Sequence, residues 1–286
     1  MAPSGPVKPD RPFRPKKKLG QNFLMDPNII GNIISRSGYV KDDVVLEIGP
    51  GMGALTIPLS RQVKAIVAVE KDSRLIKELE DRFLSEGIDN VELINRDILR
   101  VDLDEIRGMS SGPLKVIGNL PYNISSPVIW KLIRNRKSIE SAVLMFQAEV
   151  AERLSAAPGG KIYGALSILV QYHVNVEVLC NVPATAFSPR PKVASKVVRL
   201  DFNRPYPVRA LDDEIFRRLV KGAFSQRRKT MVNSLSAVFP SLGKAGLLEA
   251  VERCGIDPGA RAETIDIERF LRLCSVILPE IAKSGR

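Results

Sequence analysis

The tightest constraint on this chain is the run Val44-Val45-Leu46-Glu47-Ile48-Gly49, which breaks into Gly49-Pro50-Gly51-Met52-Gly53. A short, nearly continuous apolar run reads as a strand buried on both faces. The glycine-rich break then leads into a helix expected from about Ala54. Upstream, Asp26-Pro27 supplies an N-cap and a proline at the first helical position, and Ile29, Ile30, Ile33 and Ile34 form the apolar face that follows.

The alternation continues downstream. Strands are expected at Ala65 to Val69, Val91 to Ile94, Leu114 to Ile117 and Ser141 to Phe146. Helices are expected at Ser73 to Leu84 (apolar at Leu75, Ile76, Leu79 and Phe83), at Pro127 to Ile133 and at Gln147 to Ala156. Such alternation implies βαβ units and an open parallel sheet with helices on both faces, an α/β fold. Past that point the pattern changes. Val174 to Leu179 and Ser195 to Phe202 read as strands joined by the Pro-rich loop Pro183 to Val193. From Asp212 onward only helices are expected, at Ile215–Phe224, Thr230–Phe239, Ala245–Cys254 and Ile267–Leu278. Arg204-Pro205-Tyr206-Pro207 makes a natural boundary, and a length of 286 residues suits two modest domains. The division expected is a basic flexible tail at 1–18, an α/β domain at 19–204 and a helical domain at 205–286.

Charge supports that division. Of the net +11, residues 1–18 carry +5 and residues 187–286 carry +8, while the stretch between is near neutral. Segregated positive charge suggests a polyanion gripped by the ends. The densest runs are Lys16-Lys17-Lys18 and Gln226-Arg227-Arg228-Lys229, the latter expected on a helix. A solvated tail and a solvated helix face are the plain alternatives.

Other classes are disfavoured. Apolar content of 44% and charged content of 26% match a soluble globular chain. No stretch reaches the roughly 18 apolar residues of a membrane span, and the opening Met1-Ala-Pro-Ser-Gly-Pro has no apolar core to act as a secretory signal. Cys180, Cys254 and Cys274 are widely spaced and His173 is the single histidine, so neither a disulfide framework, a metal site nor a Ser-His-Asp triad is expected. A reduced, cytosolic-type protein fits.

Ligands of open α/β sheets bind at the carboxyl ends of the strands, where strand order reverses. Gly49, Gly51 and Gly53 clear side chains there, Glu70 ends the second strand where it can accept from both hydroxyls of a ribose, and Asp97 follows the third strand where it can take an adenine amino group. Gly49-x-Gly51-x-x-Ala54 with an acid some 20 residues on also fits a dinucleotide site. Spacing alone leaves an adenosyl sulfonium and a dinucleotide both open.

The fourth strand carries further chemistry. It runs into Asn119-Leu120-Pro121-Tyr122-Asn123-Ile124-Ser125. An exocyclic amine of a nucleobase is a poor nucleophile because its lone pair is delocalised into the ring. The Asn119 side-chain oxygen and the Leu120 carbonyl are two acceptors able to hold both amine protons. Pro121 restricts the backbone, and Tyr122 offers a ring for a base to stack on, worth roughly 1–3 kcal/mol.

Taken together, these motifs resemble the ribosomal RNA adenine N6,N6-dimethyltransferases, most closely those of the bacterial-type small subunit. The resemblance spans almost the whole chain: Leu19-Gly20-Gln21-Asn22-Phe23-Leu24, the glycine loop with Glu47, Asn119 to Ser125, Phe187-Ser188-Pro189-Arg190-Pro191-Lys192-Val193, Phe224 to Thr230, and Arg261-Ala262-Glu263. It implies a Rossmann-like class I S-adenosylmethionine-dependent methyltransferase domain with a small all-helical C-terminal domain. It further implies that Asn22, Leu24, Gly49, Gly51, Glu70, Asp97 and Asn119 contact the cofactor. Phe187 is expected to face Tyr122 across a flipped adenine, although an aromatic at that position also suits a core. The implied reaction dimethylates two adjacent adenosines near the 3′ end of small-subunit rRNA on an assembling subunit, by a monomeric cytoplasmic enzyme with no membrane partner. Extruding a base from a loop costs only a few kcal/mol. Arg227, Arg228 and Lys229 are the expected phosphate contacts. Three alternatives remain open at this point: a large-subunit rRNA adenine methyltransferase of the antibiotic-resistance type, an NAD-dependent oxidoreductase, and a non-catalytic assembly or RNA-binding factor that retains the fold.

Overall fold

The computed structural model describes residues 15–16, 19–110, 112–226 and 228–284. Most of the expected tail at 1–18 and Arg227 therefore lie outside the described residues. The chain forms β1 (Phe23–Leu24), α1 (Pro27–Ser37), β2 (Val44–Ile48), α2 (Thr56–Ser60), β3 (Ala65–Glu70), α3 (Ser73–Glu86) and β4 (Val91–Asn95). There follow α4 (Leu103–Arg107), β5 (Leu114–Asn119), α5 (Ser125–Arg134), β6 (Ile139–Gln147), α6 (Ala148–Leu154) and α7 (Ala165–His173). The remainder is β7 (Asn175–Val182), β8 (Phe187–Ser188), β9 (Ser195–Asp201), α8 (Asp213–Ala223), α9 (Met231–Leu235), α10 (Gly243–Arg253) and α11 (Ile267–Ser284).

Seven strands make one sheet in the order β4-β3-β2-β5-β6-β9-β7. The first five are parallel. The parallel pairing expected of the alternating strands holds, and the sheet becomes mixed only past the change of pattern: β9 lies between β6 and β7 and runs antiparallel to both. The reason lies in the connections. β7 and β9 are joined by a loop without a crossover helix, and only a crossover brings consecutive strands parallel. Strand order reverses between β2 and β5, which fixes the switch point.

Side chains alternate across this sheet with period two. Leu46, Ile48, Val67 and Val69 face one apolar cluster, completed by α4, α5 and α6. Val45, Ile66, Ala68 and Ile117 face a second, completed by α1, the glycine-turn region and β8. Both faces of β2 are buried, so the continuous apolar run has its physical reason. α1 begins as expected, with the Asp26 side chain accepting from the Asn28 and Ile29 amides and Pro27 in the first turn.

α4 and α7 have no counterpart among the expected elements. α4 is five residues long, too short to show a periodicity. α7 is apolar almost all round, which erases the amphipathic signal: Val170 packs into the sheet cluster, while Ile168, Leu169 and Tyr172 pack into the cluster built by α8 to α11. The helix after the glycine turn starts at Thr56, two residues later than expected. The expected Thr230–Phe239 helix contracts to Met231–Leu235.

Candidate functional site

At the switch point the backbones of β2 and β5 approach so closely that one residue has no room for a side chain. A Cβ on Gly118 would stand 2.7 Å from the Ile48 carbonyl oxygen. Gly49 turns the chain at φ 71° while its amide still donates to the Val69 carbonyl, 2.9 Å away. Beyond this bend opens a cavity. Its walls come from Leu19–Leu24, the glycine turn, the ends of β3 and β4 with Glu70 and Asp97, and Asn119–Ile124.

Most of the expected site residues meet there. Asn22, Leu24, Gly49, Gly51, Glu70, Asp97, Asn119, Leu120, Pro121 and Tyr122 all line the cavity. The Asn119 Nδ2 donates to the Asn22 carbonyl at 2.9 Å, which turns its Oδ1 away from that bond. The Tyr122 hydroxyl is hydrogen-bonded to Ser195 Oγ at 2.9 Å, and Ser195 is fully buried at the start of β9. That bond ties the ring to the sheet. Sequence reasoning gave Ser195 no role, since its partner lies 73 residues away.

Phe187 is placed elsewhere. It is 5% exposed, lies in the apolar cluster beneath α1 and does not line the cavity. Its burial suits the core alternative named above. Its backbone matters instead: β8 pairs antiparallel with β1, Leu24 opposite Phe187, and Met25 N donates to the Ala186 carbonyl at 2.8 Å. The two aromatic motifs are thereby linked through the segment that lines the cavity.

Among the described basic residues of the second expected RNA contact, Arg228 and Lys229 are exposed in the turn between α8 and α9. They do not lie on a helix. The Thr230 side chain caps α9 by accepting from Asn233 N, so the helix begins afresh only after Lys229.

The electrostatics of the cavity decide what can enter. Three carboxylates line it: Glu47, Glu70 and Asp97. The cations Lys71 and Arg96 line it as well, but Lys71 is tied to Asp97 at 2.8 Å and Arg96 reaches Glu105 at 3.9 Å. Glu70 Oε1 accepts from Asp72 N at 2.8 Å and Oε2 from Gly51 N at 3.3 Å. Asp97 Oδ1 accepts from Leu99 N at 3.0 Å, and Lys71 holds the carboxyl below its ordinary range. Such a lining suits a cationic ligand. It suits a pyrophosphate poorly, because α2 is only five residues long and lies beside acidic groups.

Glu47 is the exception among the three. Its Oε2 is buried with no partner, and burial, with Glu70 adding to it, pushes its carboxyl up to about 7. The sign of the linkage follows. The folded state keeps the proton between the ordinary carboxylate range and about pH 7 while the unfolded chain loses it, so stability falls as pH rises through that window. Glu47→Gln is expected to gain on the wild type by about 3 kcal/mol more at pH 8 than at pH 4.5. Urea unfolding at both values checks this, and an unchanged difference would contradict the buried charge.

Comparisons with known proteins agree with the geometry. The model of the family described as ribosomal RNA adenine dimethylase matches residues 13–278. A ribosomal RNA small subunit methyltransferase A of Desulforapulum autotrophicum is 45% identical over 263 residues, covering 92% of each chain. One of Geobacillus thermodenitrificans is 42% identical, covering 93% of this chain and 92% of its own. Among solved structures, a dimethyladenosine transferase from Plasmodium falciparum superposes with a TM-score of 0.75 at 31% identity, over 92% of this chain and 98% of its own. The 23S rRNA methyltransferase ErmE gives 0.70 at 26% identity, over 89% and 99%. A match across nearly the full length makes this chain a member of the ribosomal RNA adenine dimethylase family.

Proposed function

We propose that this chain dimethylates the N6 amino groups of two adjacent adenosines near the 3′ end of small-subunit rRNA. The donor is S-adenosylmethionine, and the substrate is a small-subunit precursor met by a monomeric enzyme in the cytosol. The three unpaired thiols accord with a reducing compartment. No helix among the described residues is long and apolar enough to cross a membrane. The small-subunit reading rests on relatives of equal length at 42–45% identity, against 26% for the large-subunit enzyme.

The observation that carries the reading is the orientation of Asn119. With one Nδ2 hydrogen committed to the Asn22 carbonyl, the amide leaves Oδ1 as an acceptor at the cavity wall, which Tyr122 also lines. An acceptor is what an amino group needs. Asn119 Oδ1 and the Leu120 carbonyl hold the two amine protons, which favours a pyramidal nitrogen with a directed lone pair. Tyr122, fixed through Ser195, supplies the stacking face. Glu70 and Asp97 hold the ribose and adenine of the donor, and the acidic lining accepts its positive charge. Bound S-adenosylmethionine supplies a methyl group on a sulfonium leaving group. The methylated ammonium is acidic enough to lose its proton to water, so the reaction asks for no side-chain base.

The test is incubation of the enzyme and donor with unmodified small and large subunits, followed by mass spectrometry of both rRNAs. Dimethyladenosine near the 3′ end of the small-subunit RNA is expected. Modification of the large-subunit RNA alone would reverse the assignment.

Phosphate contacts fall to the basic turn. Replacing Arg227, Arg228 and Lys229 by Ala is expected to flatten the salt dependence of subunit binding by a log–log slope of about 2–3, since each neutralised phosphate contributes nearly one. Filter binding across a salt series measures this. An unchanged slope would remove the three from the RNA contact.

A further inference from the structure

We propose that Asp72 is a positioning residue that fastens the segment Leu19–Leu24 over the donor cavity; this rests on the donor reading above. Asp72 caps α3, accepting from Arg74 N at 3.3 Å. An N-cap needs one such bond and ordinarily sits at the surface. Here the side chain has no exposed area and accepts four further bonds.

Two of those four are local: Arg74 Nε donates to Oδ1 at 3.0 Å and Arg74 Nη2 to Oδ2 at 2.6 Å. The other two arrive from more than 50 residues away. Lys16 Nζ donates to Oδ1 at 3.1 Å and Gln21 Nε2 to Oδ2 at 3.1 Å. Lys16 and Gln21 are themselves joined, since Lys16 N donates to Gln21 Oε1 at 2.7 Å. Lys16, expected from the sequence to grip a polyanion, is thus committed to Asp72.

The segment so held forms one wall of the cavity from Leu19 to Leu24. Its downstream end is fixed by Asn119 on the Asn22 carbonyl and by the β1–β8 pairing. Its upstream end is fixed at Asp72. The Asp72 amide meanwhile donates to Glu70 Oε1 at 2.8 Å. One residue therefore joins the carboxylate assigned to the ribose and the wall that covers it. For a donor to leave, the upstream end of that wall lifts, and the Lys16 and Gln21 bonds to Asp72 are what it breaks. Arg74 and these partners hold the Asp72 carboxyl far below the ordinary range, so the fastening persists across any working pH.

The test uses the full chain and S-adenosylhomocysteine as the probe. Lys16→Met and Gln21→Leu are each expected to speed its dissociation about fivefold and to accelerate deuterium exchange at residues 19–24. Asp72→Asn, which keeps a capping oxygen, is expected to speed dissociation more than tenfold. The KM for S-adenosylmethionine should rise more than kcat falls, and Lys16→Arg should restore slow release. Wild-type dissociation and exchange in Lys16→Met and Gln21→Leu, with Glu70→Ala still weakened, would overturn the fastening alone. Failure of the wild type to bind the probe at all would overturn the donor reading and the proposal with it.

Discussion

Asn119→Ala is expected to lower kcat by about 10²–10³-fold, roughly 3–4 kcal/mol of transition-state stabilisation, while the Kd for S-adenosylmethionine shifts less than tenfold. The asymmetry follows from what each atom of the amide does. Oδ1 is the acceptor proposed for the reacting amine, so its loss is felt most where the nitrogen pyramidalises. Nδ2 only orients the group, through its 2.9 Å bond to the Asn22 carbonyl. Asn119→Asp separates the two, because it keeps an acceptor oxygen and loses the orienting donor. Single-turnover methylation at saturating donor, with donor affinity measured by calorimetry, checks the split. A kcat within fivefold of the wild type in Asn119→Ala would remove the acceptor mechanism.

Glu70→Ala is expected to act on the other side of the split, weakening the donor Kd by about 10²-fold with a smaller effect on kcat at saturation. A carboxylate offers about four lone-pair positions. Gly51 N and Asp72 N occupy two, one on each oxygen. Two remain for the paired hydroxyls of a ribose, and hydrogen bonds to a charged acceptor are worth about 1.5–3 kcal/mol each; the lower end for two bonds, about 3 kcal/mol, sets the expected factor. Glu70→Gln retains the shape and loses the charge, so an intermediate loss is expected. Calorimetry with S-adenosylmethionine and NAD side by side provides the measurement. Donor affinity unchanged by either substitution would place the ribose elsewhere.

Much of this arrangement was legible in the sequence, for identifiable reasons. Val44–Ile48 was readable because burial on both faces demands a continuous apolar run. Gly49, Gly51, Glu70, Asp97 and Asn119 were readable because strand ends at a switch point are where a parallel sheet exposes its residues. Asp26-Pro27 announced a helix start that the cap hydrogen bonds realise. Other features left no such trace. α7 is buried on both sides and so has no polar stripe to mark it. Nothing local indicated that the Asp72 carboxylate receives Lys16 and Gln21. Ser195 was one residue in a strand until the fold set it against Tyr122.

The charge pattern was read in part. Arg228 and Lys229 do reach the surface, but in a turn fixed by the Thr230 cap. Lys16 shows why a basic run does not by itself define a polyanion contact. One lysine of the run is spent inside the molecule, on a carboxylate that only the fold brings within 3.1 Å.

What the chain determined unaided was its periodicity and its punctuation: which runs are buried, where helices start, and which residue types stand at strand ends. These are properties of neighbouring residues, set by side-chain alternation and backbone sterics. Which way the Asn119 amide points, which carboxylate is left without a partner, that Phe187 enters the core, and that β9 slips between β6 and β7 were decided only by tertiary structure. Each depends on groups far apart in sequence meeting at hydrogen-bond or van der Waals distance, and that proximity exists only once the chain has closed on itself.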